Sequence, residues 1–170
     1  PNASENPLVD TIRKKAASGV AIIGSSAGLN VMCADVRSTN DMQAAVQKTK
    51  DGGHILRIDG LGLLPKSLSI NVHFQDSVKV TDAEREKILA INPQLRILTD
   101  HQGETRAERL DQLLEMDNKR KILALREGSY ITVNGKKMDI RGNTGGLIFE
   151  YGKEPQAVNN GAHLDQLLAS

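Results

Sequence analysis

Val20-Ala-Ile-Ile-Gly-Ser-Ser-Ala-Gly-Leu29 decides the reading of this chain, because an apolar stretch with strand character runs straight into Gly24-x-Ser26-x-Gly28 and then into a helical segment. A serine on a sharp strand-to-helix turn between small residues is the pattern of a nucleophile elbow. The backbone folds back tightly there, so a Cβ at either glycine is expected to collide with it. Such a turn lifts the Ser26 hydroxyl out of the sheet and points the next backbone N–H, that of Ala27, to where an oxyanion would form.

Upstream of the elbow, Asn6-Pro7 reads as an N-cap followed by proline at the first helical position. Leu8, Ile12 and Ala16 then mark one apolar face, and Gly19 closes a helix over 7–18 that feeds the elbow strand. Downstream, residues 27–34 read as a short helix and Ser38–Asp41 as a polar loop. Gly52-Gly53 precedes a strand-like Ile55–Ile58, and a turn region from Gly60 to Pro65 precedes the strand Ser69–Phe74. Thr81-Asp-Ala-Glu84 is a capping box opening a helix to about Ala90. Leu95–Thr99 returns as a strand. Leu110, Leu113 and Leu114 give residues 104–116 the spacing of an amphipathic helix, and Lys121–Leu125 is a further buried strand. Tyr130–Val133 and Lys137–Ile140 flank Asn134-Gly135, a two-residue hairpin signal. Gly145–Tyr151 adds a strand, and a short helix spans His163–Leu168. The alternation predicts an α/β fold, a mostly parallel sheet sandwiched by helices and finishing in an antiparallel hairpin.

The 170 residues fit one domain with a proper core. Lys and Arg number 22 against 21 Asp and Glu, for a net charge of +1, and the basic residues are scattered. That pattern argues against nucleic acid or a membrane surface as partner. The single cysteine, Cys33, leaves nothing to form an internal disulfide or a cysteine-based metal site, in keeping with a reducing, cytoplasmic setting. No apolar run approaches the roughly 18 residues that a membrane span needs. Aromatic residues are only 2% and tryptophan is absent, which disfavours stacking platforms for bases or sugars.

An elbow serine is inert at neutral pH unless a base takes its proton. Of four histidines, His73 sits near the C-terminal end of an apolar strand, where α/β sheets collect functional groups. His54, His101 and His163 fall in a glycine-rich turn, a polar loop and the tail. A carboxylate should orient the imidazole, and both Asp41, after the elbow helix, and Glu127, after strand 121–125, qualify by position. Chain order does not choose between them, since the same constellation occurs in several orders.

Five segments, Ile23–Gly28, Arg37–Met42, Asn71–Phe74, Gly103–Arg106 with Arg109, and Leu125–Gly128, occur in the order that resembles the peptidase E family. These are aspartyl dipeptidases, serine peptidases related to cyanophycinase on a fold like the class I glutamine amidotransferases. The resemblance runs from about residue 7 to 130. It implies Ser26 as nucleophile, His73 as general base and later acid, Glu127 as the orienting carboxylate and Ala27 as an oxyanion donor. Asp41 matches a site acid and ranks second for the triad, or else as structural support. Arg106 matches an arginine facing the substrate's acidic side chain, where a planar guanidinium grips a carboxylate through two parallel hydrogen bonds. Asn71 joins it among the substrate-binding residues, and no metal or organic cofactor is implied.

The family elbow usually follows about a hundred residues that include opening strands and a Gly-Gly-Asn oxyanion loop, whereas here it arrives at residue 26. With Pro1 in place of an initiating methionine, the sequence reads as the C-terminal portion, residues 1–170, of one α/β serine peptidase domain. The expected partners are a small peptide substrate and a second polypeptide or N-terminal fragment completing the sheet, since folded proteins avoid long unpaired edges. A homo-oligomer is compatible with this. The implied activity is hydrolysis after an N-terminal aspartyl residue. Its rivals are cleavage of β-aspartyl-arginine and a catalytically silent binding domain.

Overall fold

The computed structural model describes residues 6–39, 59–75 and 106–169, with positions 83, 86, 87 and 90. Those four positions are helical, in keeping with the helix expected near 81–90. The strands expected at 55–58 and 95–99, the Thr81 capping box, and Asp41, His54 and His101 lie outside the described residues.

Helix α1 (Pro7–Ala17) opens as its sequence requires: Asn6 Oδ1 accepts the Leu8 N–H at 3.0 Å, and Pro7 needs no intrahelical partner. Its apolar stripe finds little cover, since no α1 residue is buried and Leu8 is 65% exposed. What ties α1 down is Arg13, whose guanidinium donates to the carbonyls of Leu61 and Gly60 at 2.7 and 3.2 Å. Residues 20–25 then run without joining any strand among the described residues, a correction to the elbow strand expected there. The apolar residues alone do not make a strand, because no described chain offers them a ladder; Ile23 is 93% exposed.

Helix α2 (Ala27–Met32) follows, and the next described strand is β1 (Leu68–Phe74). Helix α3 (Arg106–Met116), β2 (Lys121–Arg126), the hairpin β3 (Ser129–Asn134) and β4 (Lys137–Gly142), β5 (Gly146–Glu150) and β6 (Gln156–Val158) follow in order. A 3₁₀ turn, Asp165–Leu167, stands where a short helix was expected. β1 and β2 pair in parallel, β5 joins β2 antiparallel, and β6 joins β5 antiparallel, giving the order β1-β2-β5-β6. The hairpin forms its own two-stranded sheet. The fold is thus mixed α/β. β6 has no counterpart in the sequence reading, since three residues after Pro155 carry no alternation to detect.

Period-two alternation distributes the core to both faces of the four-stranded sheet. Leu68, Ile70, Leu123, Leu125 and Ile148 pack with Cys33, with Met138 and Ile140 of the hairpin, and with Leu164 and Leu167 of the tail. Ile122, Ala124 and Phe149 face the other way, onto Leu110, Leu113 and Leu114 of α3. Each such aliphatic side chain removed from water contributes about 1.5–3 kcal/mol before its ordering cost. Phe74 breaks the parity: an even-numbered residue like Leu68 and Ile70, it lies on the α3 face beside Phe149, centroids 5.6 Å apart. The register of β1 against β2 shifts between Asn71 and Phe74, and His73 inside that irregularity has φ 57°. A bulge of this kind turns a side chain out of the regular pleat.

In the hairpin, Asn134 pairs with Lys137, so the two-residue loop is Gly135-Lys136, one position beyond the Asn134-Gly135 expected. Gly135 has φ +59° while Lys136 is not at positive φ, the signature of a turn needing glycine only at its first central position.

A buried ionic cluster fixes the turn after α2. The Arg120 guanidinium, 4% exposed, reaches Asp35 at 2.8 Å and Asp117 at 2.9 Å and donates to Ser69 Oγ on β1. Arg37 pairs with the same two aspartates, at 2.9 and 3.4 Å. Burial pushes the Asp35 carboxyl up, but hydrogen bonds from Arg37 and the charge of Arg120 outweigh it and hold it below the usual carboxylate range. Asp35→Asn should therefore cost about 3–5 kcal/mol by stranding buried guanidinium charge, read as a lower urea midpoint. Because the folded-state value is the depressed one, the stabilisation from Asp35 is complete above the unfolded carboxylate pKa of about 3.9. It is lost as pH falls through the folded value, so the wild-type advantage over Asp35→Asn should shrink in acid melts.

Candidate active site

Parallel pairing of β1 with β2 sets Phe74 opposite Arg126, so the C-terminal ends of the two strands bring His73 and Glu127 side by side. α2 packs against β1 and carries Ser26 at its N-cap, over the same end. Ser26 has φ 53° and ψ −126°, a conformation costly to any residue with a Cβ, as a nucleophile elbow requires. Gly24 makes the bend possible: a Cβ there would lie 2.7 Å from the Gly28 carbonyl oxygen and 2.8 Å from Met32 Cε. Gly28 differs from expectation. A Cβ on it meets nothing among the described residues, because the first turn of α2 points that position outward.

Ser26 Oγ lies 2.7 Å from His73 Nε2, and His73 Nδ1 is hydrogen-bonded to Glu127 Oε1. An ionised carboxylate only accepts, so Nδ1 carries the proton toward Glu127. In the neutral imidazole Nε2 is then bare and accepts from the serine hydroxyl. The arrangement can move a proton from Ser26 to His73 while Glu127 holds the ring. Ala27 N–H, at the first position of α2, has no backbone acceptor among the described residues. His73 and Glu127 side chains are 45% and 71% exposed, so the constellation opens to solvent and backbone geometry holds it more than packing does.

Arg106 starts α3 and donates through Nη1 to the Val72 carbonyl at 2.8 Å, next to His73. Burial lowers its pKa most, repulsion from Arg109 adds to this, and the Glu127 charge pulls the other way, which places the guanidinium within electrostatic reach of Glu127. Asn71 is buried, its amide donating to the Ser38 carbonyl, and its Oδ1 has no partner among the described residues. That contact ties β1 to the 35–39 turn. His163 sits apart, 2.6 Å from Asp139 Oδ1. The Cys33 thiol is buried and pushed up to about 11, chiefly by desolvation, so it stays protonated against the Ile70 N–H. Among the described residues no group of three or more His, Cys, Asp or Glu could hold a metal ion. Sequence reasoning missed Ser129 and Thr144, whose hydroxyls stand 2.8 Å apart beside Glu127. The sole hint of them was the glycine-rich run Gly142–Gly146.

A serine, a histidine and a carboxylate in one hydrogen-bonded line at the strand ends of an α/β sheet have the arrangement that serine hydrolases share. The Peptidase family S51 profile matches residues 2–141, and the chain belongs to that family. It is 29% identical over 164 residues to a Peptidase E of Nostoc sp. (strain PCC 7120), covering 96% of this chain and 56% of the relative. To the Peptidase E of Streptomyces coelicolor it is 30% identical over 161 residues, 95% of this chain and 54% of the relative. To that of Salmonella arizonae it is 30% identical over 155 residues, 91% and 53%. The chain therefore spans about half the length of the curated relatives it matches.

The elbow geometry predicts opposite outcomes for its two glycines. Gly24→Ala should abolish covalent labelling of Ser26 by a fluorophosphonate, followed by intact mass, whereas Gly28→Ala should label within a few-fold of wild type.

Proposed function

We propose that this chain carries the nucleophile, base and orienting acid of a serine peptidase that hydrolyses short peptides with an N-terminal aspartyl residue. The observation behind this reading is the 2.7 Å contact of Ser26 Oγ with His73 Nε2, continued to Glu127. Ser26 attacks the main-chain carbonyl carbon of the aspartyl residue as His73 takes its proton, and Ala27 N–H meets the developing oxyanion. His73 returns the proton to the departing amine. Water, deprotonated by the same ring, then cleaves the acyl-enzyme ester. Glu127 keeps the ring in the tautomer both steps need. Arg106 supplies the positive charge for the substrate's carboxylate. Asp41 remains a candidate for support after the elbow helix.

Ser26→Ala should lower Asp-Leu hydrolysis at least a thousandfold, measured by release of leucine; unchanged turnover would sink the hydrolase reading. Arg106→Met should reduce kcat/KM for Asp-Leu roughly 10- to 100-fold while changing Ala-Leu turnover little, if the guanidinium selects the acidic side chain.

Residues 1–170 are read as the C-terminal portion of one peptidase domain, completed by a further stretch of polypeptide lying over α1 and residues 20–25. The unburied stripe of α1, Ile23 at 93% exposure and Val20 at 49% support this. So does the shortfall against the relatives' length. A cytoplasmic setting fits the single free cysteine. Among the described residues no helix is long and apolar enough to cross a membrane. Ile23→Lys should leave the melting of the isolated 170-residue chain unchanged but destabilise the intact protein by about 2 kcal/mol or more. Equal melting shifts in the two would argue that nothing covers this segment.

A further inference from the structure

Glu127 lies in the two-residue connection between β2 and β3, and its side chain is 71% exposed, so packing does not fix the carboxylate. Its backbone is fixed instead from the β4–β5 turn. Thr144 Oγ1 donates to the Glu127 carbonyl oxygen. That hydroxyl has one proton, already given to a group that can only accept, so the 2.8 Å contact with Ser129 Oγ makes Ser129 the donor to Thr144. On either side the two turns are laced together: Asn143 N–H donates to the Gly128 carbonyl at 3.0 Å, and Arg126 N–H to the Gly145 carbonyl at 3.2 Å. The Arg126 guanidinium reaches the carbonyls of Thr144 and Gly146 at 3.3 and 3.4 Å. Gly142, at φ +111°, lets the turns close, since a Cβ there would stand 2.1 Å from the Gly128 carbonyl oxygen. Gly128 itself is at φ +81°, with Thr144 resting over the space its side chain would take.

We propose that Thr144 is a positioning residue of the active site, holding Glu127 through its main chain so that the carboxylate stays on His73 Nδ1. The inference rests on the peptidase reading above and deepens it. The Thr144 hydroxyl bonds to the Glu127 carbonyl and to Ser129, so its influence on His73 and Ser26 passes through Glu127. A hydroxyl clamp on the backbone is what an exposed triad acid needs, because with no packing around the side chain the carboxylate meets Nδ1 only if the Cα it reaches from is held in place.

The test is a double-mutant cycle in the intact protein with Asp-Leu as substrate. Thr144→Val, nearly isosteric and lacking the donor, should lower kcat roughly 10- to 100-fold with KM within twofold, and Thr144→Ser should restore most of the rate. In a Glu127→Gln background, Thr144→Val should change kcat less than twofold, since the residue acts through that carboxylate. Full additivity of the two losses, or a Thr144→Ser rate no better than Thr144→Val, overturns the proposal. Should Thr144→Val lose its native circular dichroism, Ser129→Ala takes its place in the cycle, with a smaller loss in kcat at constant KM as the supporting result and an unchanged kcat as the overturning one. Ser26→Ala is the control: if it retains activity, the peptidase reading fails, whereas a dead Ser26→Ala beside an unimpaired Thr144→Val defeats only the positioning role.

Discussion

The hydrogen bond from Ser26 Oγ to His73 Nε2 joins the two non-glycine residues that, among those described, sit at positive φ. Each such backbone costs on the order of 1–3 kcal/mol and persists only where its surroundings over-determine it. For Ser26 the surroundings are the α2 helix that begins at once behind it and the missing Cβ at Gly24. For His73 they are the parallel ladder with β2 up to Asn71 and the Phe74 ring on the opposite face, seated against Phe149. The chain is therefore pulled to one face before His73 and to the other after it. The histidine between is driven out of the pleat, toward the serine.

The ionic cluster serves this geometry from behind. Asp35 and Arg37 follow α2, Ser69 belongs to β1, and Asp117 and Arg120 connect α3 to β2, so one network ties together the elements that carry Ser26, His73, Arg106 and Glu127. Apolar residues of equal volume could match it in stability, since desolvating four charges consumes most of what their attraction supplies. What apolar packing lacks is direction. Arg120 fits only where two carboxylates and a hydroxyl converge, and that convergence sets how α2 lies on β1.

How much of this was legible in the sequence depends on whether the deciding signal was local. Asn6-Pro7 names its own helix start, Leu110, Leu113 and Leu114 their own buried face, and Lys121–Leu125 its own strand, because capping and periodicity act within a few residues. Ser26, His73 and Glu127 stood out as candidates because each sits at an element's end, where a strand run gives way to small or polar residues. Resemblance rather than position favoured Glu127 over Asp41. Non-local facts were invisible. Gly28 could not be known to stand clear of the described residues, the loop of the hairpin slid by one residue, and the register shift in β1 leaves no mark in Asn-Val-His-Phe. Thr144 belongs to the same category, since it sits 17 residues from the carbonyl it holds. The lack of a ladder for residues 20–25 among the described residues is the plainest case, for a strand needs a neighbour that sequence pattern alone cannot supply.

The three site residues are consequently held with unequal firmness. His73 and Glu127 stand at the ends of two strands bonded to each other, and β2 is bonded again on its far side by β5. Ser26 has α2 after it, but the chain before it carries no ladder among the described residues. A constellation is as precise as its least supported member, and side chains on paired strands and helices are held more closely than those on single segments. The elbow's strain makes the asymmetry sharper: among the described residues, a serine at φ 53° is braced by the helix behind it and not by a paired strand before it. The exposed Val20 and Ile23 lie in that preceding stretch. Burying them and restraining Ser26 are then one requirement, and a strand laid against residues 21–23 would satisfy both at once by pairing backbone groups that have no partner among the described residues.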